Sequence, residues 1–578
     1  MTKSVALILT CFFLAQGISF AQSVYPANYF SSPLDIPLVV IGTFGEIRAD
    51  HFHSGLDLST NEQEGKKVYA AASGYVSRIK IAPDGFGKAI YITHPNGYVT
   101  VYAHLKKFNP VIEKYIHKLQ YEKESFAIDQ YSVQAELPVK KGEVIAYSGS
   151  TGGAEGPHLH FEIRDAKTEW PINPLFFGFK IPDNIPPKIS RLKIYSLHSQ
   201  GVVINAIESA TYKVSNESGE NKILGPQVIN VFGSIGLGIE AEDKKMDPDV
   251  KEYSLGIYSI EMKVDGNKAY SFRFDKFSFD ETRYANAHVD YEEETLHNAK
   301  IQRCYRLPGN KLSIDADPRM SGELNMNDGK MHDIEFTTTD FAGNTTSMHL
   351  ALQSETSLAS LPFPSPPDDA TIIDSEKGIN INTYDINLRI PAGAVYDETW
   401  FSFSKSSDSK NALSSLHHVG DKTVAVNNPL TIEIKVTANI PASLQQKTFI
   451  ISHGKNGVIK YEGGEWKNGF VSASVRHFGD FEVMLDTIPP TIKVIEVPVS
   501  GSPHENLQIA FQVKDNLSGM ESYRATIDGK FFLLEFDAKT GMLAGEIPNS
   551  KTDKKHNFAL SVSDKKGNNT LYEVVLIY

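Results

Sequence analysis

The chain has 578 residues and a formal net charge of −13 at pH 7. This length exceeds what a single hydrophobic core usually serves, so the sequence predicts three or four domains. The acidic balance argues against a nucleic-acid-binding protein, because that class needs a basic surface to neutralise phosphates. A solvated acidic surface explains the charge more simply.

The N-terminus has the layout of a secretory signal peptide. Lys3 precedes an apolar run from Val5 to Leu14, and small residues follow up to Ala21. The run is shorter than the roughly 18 residues that a membrane span needs. Cys11 lies within it, where we interpret it as apolar filling, with a lipoprotein cysteine as the alternative. We therefore predict a signal peptide over residues 1–21.

Export follows from this prediction, with the periplasm or outer envelope as the expected location and full secretion as the alternative. No later stretch is long and apolar enough for a transmembrane segment. Cleavage would remove Cys11 and leave Cys304 as the sole cysteine, which has no partner for an intramolecular disulfide. We therefore expect stability to come from hydrophobic cores or from a bound metal.

Residues 35–182 contain short β-branched and aromatic runs broken by Gly, Pro and Asn. This pattern is typical of antiparallel strands. Asn96-Gly97 stands between two alternating runs and predicts a tight hairpin, because such turns need positive φ angles. Residues 106–138 differ, since they are charged and have helical spacing, and they predict a helical insertion in the strand domain.

The rest of the chain is also rich in strand patterns and contains an internal repeat. Four landmarks occur twice in the same order: a Pro-Pro pair, an acidic turn, an Asp-Gly turn and an Asp-x-x-Gly-Asn-x-Thr segment. This order predicts a duplicated β-sandwich module, and it resembles bacterial immunoglobulin-like modules. The copies carry the landmarks at Pro186-Pro187, Asp243, Asp265-Gly266 and Asp340, and at Pro489-Pro490, Asp515, Asp528-Gly529 and Asp564.

These patterns together predict a mainly β protein with an N-terminal antiparallel domain and about three β-sandwiches. The expected segments are a first copy at 183–352 with an insertion near 283–310, a proline-rich linker at 353–366, a further sandwich at 367–486 and a second copy at 487–578. Acidic turns in such modules can hold Ca²⁺. Most of these aspartates fit Asx turns instead, and calcium is the alternative.

The stretch GEIRADHFHSGLDLST, residues 45–60, places His51, His53 and Asp57 around Gly55. A catalytic zinc takes three protein ligands about 2.0–2.2 Å away, so the ligand atoms must converge within about 3.5 Å of one another. On a straight strand His53 and Asp57 would be some 13 Å apart. Gly55 supplies a backbone without Cβ that can bend between them. A polar turn without metal is the alternative.

The stretch STGGAEGPHLHFE, residues 150–162, offers a further ligand. His158 and His160 are two apart and so share one face of a strand, while Leu159 and Phe161 pack on the other. An exposed polar strand edge is the alternative, although it does not explain why the polar residue is histidine twice. His104, at the end of another strand pattern, is a candidate that by itself would commonly be structural.

The segments HSGLD, YAHL and SGSTGGAEGPHLHFE together resemble the motifs of the lysostaphin/LytM-type zinc metalloendopeptidases. The resemblance covers about residues 35–182 and implies an antiparallel β-sheet metallopeptidase domain. It implies that His53, Asp57 and His160 hold one Zn²⁺ and that His104 and His158 are the catalytic histidines. The insertion after His104 departs from the smallest members of the family.

The resemblance implies an exported zinc metalloendopeptidase that cleaves peptide bonds in peptidoglycan stem peptides or cross-links. Its partners would be peptidoglycan or muropeptides, with envelope proteins as candidate partners of the sandwiches. One alternative is a non-catalytic module that binds the cell wall or activates wall amidases, although such relatives lose metal ligands. Another is a structural envelope adhesin with an ancillary zinc domain.

Two other histidines are assigned no catalytic role. We interpret His51 as an exposed loop residue, with a place in the substrate groove or behind the metal ligands as alternatives. His94, beside the predicted hairpin turn, is interpreted as structural.

Overall fold

The computed structural model describes residues 25–577, apart from 134–135, 198–201, 204–208, 218, 247–251, 316, 357–369, 408–411, 499–506 and 548–553. The predicted signal peptide lies outside the described residues, as does most of the predicted linker. Strands dominate the described chain and helices are few, which confirms the mainly β fold class. Within these described ranges, no helix is long and apolar enough to cross a bilayer.

The N-terminal part forms one large antiparallel sheet and one small sheet. Its strands are β1 Val40–Gly42, β2 Leu56–Ser59, β3 Lys67–Tyr69, β4 Gly74–Ile81, β5 Lys88–Thr93, β6 Tyr98–Ala103, β7 Leu105–Phe108, β8 Ile128–Tyr131, β9 Pro138–Val139, β10 Val144–Ser148, β11 His158–Asp165 and β12 Pro171–Ile172. The large sheet has the order β1-β2-β11-β6-β5-β4-β8, with β12 paired to β11 and β9 to β4, and β3-β10-β7 form the small sheet. β11 therefore lies between β2 and β6.

The two faces of β11 differ because side chains alternate along a strand. Leu159 and Phe161 are buried in the main hydrophobic core, and His160 points to the opposite face. The cross-strand register sets Asp57 of β2 on one side of His160 and Ala103 of β6 on the other. The alternation thus turns Leu159 and Phe161 towards the hydrophobic core and leaves His160 on the opposite face, beside Asp57.

The insertion predicted at residues 106–138 is only partly helical. One helix, α1, spans Pro110–Glu122, and the Asn109 side chain caps it by accepting a hydrogen bond from the backbone N–H of Ile112. Pro110 occupies the first turn, where its missing N–H costs nothing. The flanking segments are the strands β7, β8 and β9, so the helix occupies only the first half of the insertion. β8 pairs with the outer edge of β4, and this pairing satisfies its backbone groups in place of helical bonds.

The first predicted sandwich is a mixed assembly of twelve strands. They are β13 Lys188–Ser196, β14 Val202–Val203, β15 Ser209–Glu217, β16 Glu220–Ile223, β17 Val228–Met246, β18 Glu252–Leu255, β19 Ser259–Val264, β20 Asn267–Arg273, β21 Ile301–Arg303, β22 Leu324–Met326, β23 Met331–Thr339 and β24 Thr345–Ser354. The insertion near 283–310 holds two short helices, α2 Ala285–His288 and α3 Tyr291–His297, together with β21.

This sandwich packs directly against the N-terminal domain. One hydrophobic core cluster contains residues of both, from Phe30 to Leu352. Phe52, which precedes the bend at Gly55, has its ring 5.2 Å from that of Phe274 and 5.7 Å from that of Phe277. Phe274 and Phe277 of the first sandwich therefore pack against Phe52 and support the segment that carries His53.

The next unit has its own core and two five-stranded sheets. Its strands are β25 Thr371–Ile373, β26 Ile379–Asn382, β27 Ile386–Ile390, β28 Thr399–Phe401, β29 Phe403–Ser406, β30 Leu416–Val419, β31 Leu430–Lys435, β32 Thr448–His453, β33 Ile459–Gly463, β34 Glu465–Lys467, β35 Phe470–Val475 and β36 Gly479–Leu485. The sheets have the orders β26-β27-β31-β35-β34 and β29-β30-β36-β32-β33, with β25 paired to β28.

Residues 487–577, named here the C-terminal module, form two four-stranded sheets around a further core. The strands are β37 Thr491–Glu496, β38 Gln508–Lys514, β39 Met520–Ile527, β40 Lys530–Phe532, β41 Glu535–Asp537, β42 Met542–Glu546, β43 Lys555–Asp564 and β44 Asn569–Ile577. The sheets have the orders β37-β38-β42-β41 and β40-β39-β43-β44.

The internal repeat has the same acidic centre in both copies. In each copy three carboxylates come within 4.8 Å of one another, from an aspartate just before the Pro-Pro pair, from the acidic turn and from the Asp-x-x-Gly-Asn-x-Thr segment, namely Asp183, Asp243 and Asp340, and Asp486, Asp515 and Asp564. Their oxygens accept turn hydrogen bonds: Asp340 Oδ1 accepts from the backbone N–H of Gly343, and Asp564 Oδ1 from that of Lys566. These bonds favour the Asx-turn interpretation of the landmarks.

Candidate metal centre and catalytic histidines

His53 and Asp57 come together through a bend of the chain at Gly55, after which β2 begins. A Cβ atom at Gly55 would lie 2.5 Å from the carbonyl oxygen of Phe161 on β11. Only glycine allows the two backbones to approach so closely. The bend brings His53 Nε2 to 3.0 Å from Asp57 Oδ1.

His160 joins this pair from the neighbouring strand. Its Nδ1 lies 3.0 Å from Asp57 Oδ1 and 3.0 Å from His53 Nε2. The three residues are 6%, 8% and 3% exposed for His53, Asp57 and His160 respectively. Three potential ligand atoms, from two segments far apart in the sequence, therefore meet around one buried point.

Hydrogen bonds outside the cluster determine which ring nitrogens face it. His53 Nδ1 donates to the Thr43 carbonyl oxygen at 2.8 Å, and His160 Nε2 donates to Glu162 Oε1 at 2.8 Å. The lone pairs of His53 Nε2 and His160 Nδ1 and the Asp57 oxygen then converge, which requires a positive charge between them. Their separations of 3.0 Å suit a tetrahedral zinc with ligands about 2.0–2.2 Å away. The residues present fit a zinc ion.

Asp57 is held ionised and oriented. Arg48 Nη2 donates to its Oδ2 at 3.0 Å, so that Oδ1 is left to face the histidines. Burial raises the pKa of Asp57, but the charge of His53 and the proximity of His158 and His160 outweigh burial and hold the pKa well below the usual range. The carboxylate form is the one that a metal ligand needs.

Glu162 supports His160 from behind the cluster. It is fully buried, and it accepts hydrogen bonds from His160 Nε2 at 2.8 Å, Ser54 Oγ at 2.5 Å and Arg164 Nε at 2.5 Å. Burial raises its pKa, but the Arg164 charge and the His160 hydrogen bond lower it to about 2. A carboxylate behind a ligating imidazole fixes its tautomer and orientation.

The carboxylates of Asp57 and Glu162 therefore both contact the imidazole ring of His160. Burial lowers the pKa of His160, but its hydrogen bonds with Asp57 and Glu162 raise it to about 9 in the metal-free chain. The site favours a positive charge at this ring, which a cation at Nδ1 would supply in place of the proton.

His104 and His158 lie beside the cluster. Their ring centroids are 4.8 Å apart, and His158 Nε2 is 3.5 Å from Asp57 Oδ1. His104 Nδ1 donates to the Thr151 carbonyl oxygen at 2.9 Å, and His158 Nδ1 donates to that of Gly156 at 2.9 Å. Nε2 of each ring is thereby left as a hydrogen-bond acceptor.

The backbone of His104 is strained. Its φ of 58° lies in the left-handed region that residues with a Cβ rarely adopt, and its N–H donates to the Phe86 carbonyl oxygen at 3.0 Å. Burial, with the charges of His160 and His158, lowers the pKa of His104 to about 3. The ring is therefore neutral at pH 7, and the strain is of the kind that concentrates at functional sites.

The structure keeps His51 and His94 out of the cluster. His51 is exposed, with Nδ1 2.9 Å from Asp50 Oδ1, as expected for a loop histidine. His94 is buried, with Nδ1 3.0 Å from the Ser73 carbonyl oxygen and Nε2 2.8 Å from Thr100 Oγ1. Both of its nitrogens are used within the fold, which suits a structural role.

Several supporting residues were not predicted from the sequence. Glu162 and Arg164 continue the alternation of His158 and His160 along β11, so their shared face was available as a sequence signal. Arg48 and Thr43 had no such signal, because their contacts with Asp57 and His53 depend on how the loop before β2 folds.

Two protein family models match parts of the chain. Residues 51–120 and 114–174 match peptidase family M23, and residues 370–486 match the Zu5-like domain. The N-terminal part of the chain therefore matches the peptidase family M23 model, in agreement with the resemblance of its motifs to the lysostaphin/LytM-type endopeptidases.

Individual relatives match a limited part of the chain. The DD-carboxypeptidase/endopeptidase Mpg of Neisseria meningitidis serogroup B is 34% identical over 131 residues, which cover 23% of this chain and 24% of Mpg. The peptidoglycan DD-endopeptidase ShyB of Vibrio cholerae is 32% identical over 111 residues, 19% of this chain and 20% of ShyB. The chain therefore spans a quarter or less of these relatives' length.

Among solved structures, the catalytic domain of lysostaphin from Staphylococcus simulans aligns with 24% identity. The alignment covers 24% of this chain and 86% of that domain, with a TM-score of 0.18.

Proposed function

We propose that the protein is an exported zinc metalloendopeptidase that hydrolyses peptide bonds in peptidoglycan stem peptides or cross-links. The convergence of His53 Nε2, Asp57 Oδ1 and His160 Nδ1 at mutual distances of 3.0 Å carries this proposal. The names of Mpg and ShyB, both endopeptidases, support the substrate class. These three side chains would hold one zinc ion.

Bound zinc would polarise the scissile carbonyl and lower the pKa of water towards neutrality. His104 and His158 would act beside it, each with its Nε2 free to accept a proton. The low pKa of His104 keeps its ring neutral at pH 7, so that its Nε2 is available as a hydrogen-bond acceptor. General acid–base help of this kind contributes about 10²–10⁴ in rate. Glu162 would keep His160 in the ligating tautomer throughout.

A non-catalytic regulatory or wall-binding module explains the site less well. Such a module needs neither the three ligands nor the two flanking histidines. It would also have no use for the Glu162 carboxylate, whose burial costs free energy unless it is paired.

The remaining assignments belong to the same proposal. Residues 35–182 would be the catalytic domain, and residues 183–352, 367–486 and 487–578 would be accessory β-sandwich modules. Peptidoglycan lies outside the cytoplasm, so the protein would act in the periplasm or outer envelope after removal of residues 1–21.

The test pairs metal analysis with a digest. Purified mature protein should contain about one zinc per chain and cleave muropeptides. His160→Ala should lose both the zinc and the cleavage, whereas His51→Ala, at an exposed histidine outside the cluster, should keep both. Zinc-replete wild-type protein that left muropeptides of every cross-link type intact would contradict the proposal.

A further inference from the structure

Residues 149–157, named here the catalytic loop, connect β10 to β11 and hold both flanking histidines. Thr151 supplies the carbonyl oxygen that accepts from His104 Nδ1, and Gly156 the one that accepts from His158 Nδ1. The position of this one loop therefore sets the tautomer and orientation of both rings.

The catalytic loop is poorly suited to hold its own shape. It contains four glycines in nine residues, GSTGGAEGP, and glycine gives the backbone more freedom than any other residue. Within the N-terminal domain it is held at Thr151, whose Oγ1 donates to the Leu105 carbonyl oxygen and accepts from the Lys88 N–H, and at Gly153, whose N–H donates to the Gly85 carbonyl oxygen at 2.8 Å. Contacts from outside the domain would restrict this glycine-rich backbone further.

The C-terminal module supplies such contacts through Lys539, in the turn after β41. Lys539 Nζ donates to the Ser150 carbonyl oxygen at 2.5 Å and to the Ala154 carbonyl oxygen at 3.0 Å. One ammonium group therefore bridges two backbone oxygens on either side of Thr151 and closes the loop between them. Hydrogen bonds from a charged donor are stronger than neutral ones.

Glu535, four residues earlier on β41, contacts Lys88 at the start of β5, which in turn contacts the catalytic loop. Its carboxylate lies 2.8 and 2.9 Å from Lys88 Nζ, and Lys88 is only 5% exposed. The backbone N–H of Lys88 is the group that donates to Thr151 Oγ1 at 3.0 Å. A buried ammonium needs a paired carboxylate, so this contact also favours docking of the module.

Two further contacts lie away from the loop. Arg524 donates through two nitrogens to Glu124 Oε2 at 3.0 and 2.7 Å, and the ring of Phe531 lies 5.4 Å from that of Tyr121 at the end of α1. The insertion after His104 thus provides a second docking point for the same module.

We propose that the C-terminal module holds the catalytic loop in place, with Lys539 as a positioning residue that keeps His104 and His158 oriented for hydrolysis. This inference rests on the proposed function. It gives the last sandwich a role in catalysis in addition to any role in reaching the substrate. Lys539 itself touches neither the ligand cluster nor the two histidines.

The experiment uses the full-length, zinc-loaded protein with Lys539→Met, Lys539→Arg and Glu535→Gln. Lys493→Met, at an exposed lysine of the same module away from these contacts, is the matched control. We expect Lys539→Met to speed hydrogen exchange of the catalytic-loop amides and to lower kcat on muropeptides about tenfold, since small displacements of catalytic groups are costly. KM and zinc content should stay the same, and Lys539→Arg should restore most of kcat.

Two outcomes would overturn the inference. One is equal loop exchange and equal kcat in Lys539→Met and Lys493→Met. The other is faster exchange with unchanged kcat, which would mean that hydrolysis does not depend on the contact between Lys539 and the loop. Wild-type protein inactive on every muropeptide would instead contradict the proposed function, while the exchange comparison would still decide whether the module holds the loop.

Discussion

Asp57 and His160 face each other in register on paired strands, with Asp57 Oδ1 3.0 Å from His160 Nδ1 although 103 residues separate them. This register allows the centre to form: a shift of one residue would turn His160 into the hydrophobic core.

Replacing Glu162 with Gln should weaken zinc binding by about 10- to 100-fold, because the amide supports the His160 ring less strongly than the carboxylate. Affinity can be measured by competition with a chelator. Glu169→Gln is the control, since Glu169 is exposed and contacts the same Arg164 only at 3.6 Å. Equal affinities in the two variants would show that Glu162 does not tune the ligand.

His104→Ala and His158→Ala should separate catalysis from metal binding. Neither ring belongs to the ligand cluster, so both variants should keep their zinc while kcat falls by about 10²–10⁴. Metal analysis and digest rates on the same preparations test this. A variant that lost its zinc along with its activity would have to be reassigned as a ligand position.

Gly55→Ala should destabilise the domain and reduce its zinc content. The new Cβ would meet the Phe161 carbonyl oxygen at 2.5 Å and His160 Nε2 at 3.0 Å, and relieving such overlap typically costs about 1–3 kcal/mol of the free energy of unfolding. Denaturant unfolding and metal analysis provide the measurements. Gly156→Ala, where a Cβ meets no atom within 4 Å, should be close to wild type in stability.

His288 should make the fold sensitive to mild acid. Its ring lies against Phe272 and Phe52, and burial lowers its pKa from 6.5 to about 4. Between these values the unfolded chain binds a proton that the folded chain does not. The free energy of unfolding should therefore fall as pH drops from 6.5 to 4, by up to about 3 kcal/mol.

Comparing wild type with His288→Leu over this pH range isolates the contribution of His288. The variant should lack this part of the pH dependence, because it has no group to titrate at that position. Parallel stability curves for the two proteins would refute the assignment.

The sequence by itself determined the mainly β class, the M23-type domain and the residues that form the polar cluster. These depend on local information: strand alternation puts His158 and His160 on one face, and Gly55 marks the bend between His53 and Asp57. The spacing of residues along the chain predicted secondary structure less reliably in the insertion after His104. There the charged helical pattern holds only for Pro110–Glu122, and pairing with β4 decides that Ile128–Tyr131 is a strand.

Only the tertiary structure decided how the cluster is supported. Arg48 on Asp57, Thr43 on His53 and Lys539 on the catalytic loop are contacts between segments whose approach depends on packing. A hydrogen bond between distant residues leaves no periodicity in the chain, because nothing in the spacing of either residue refers to the other. The residues of the polar cluster could therefore be predicted, whereas the side chains that hold them in place could not.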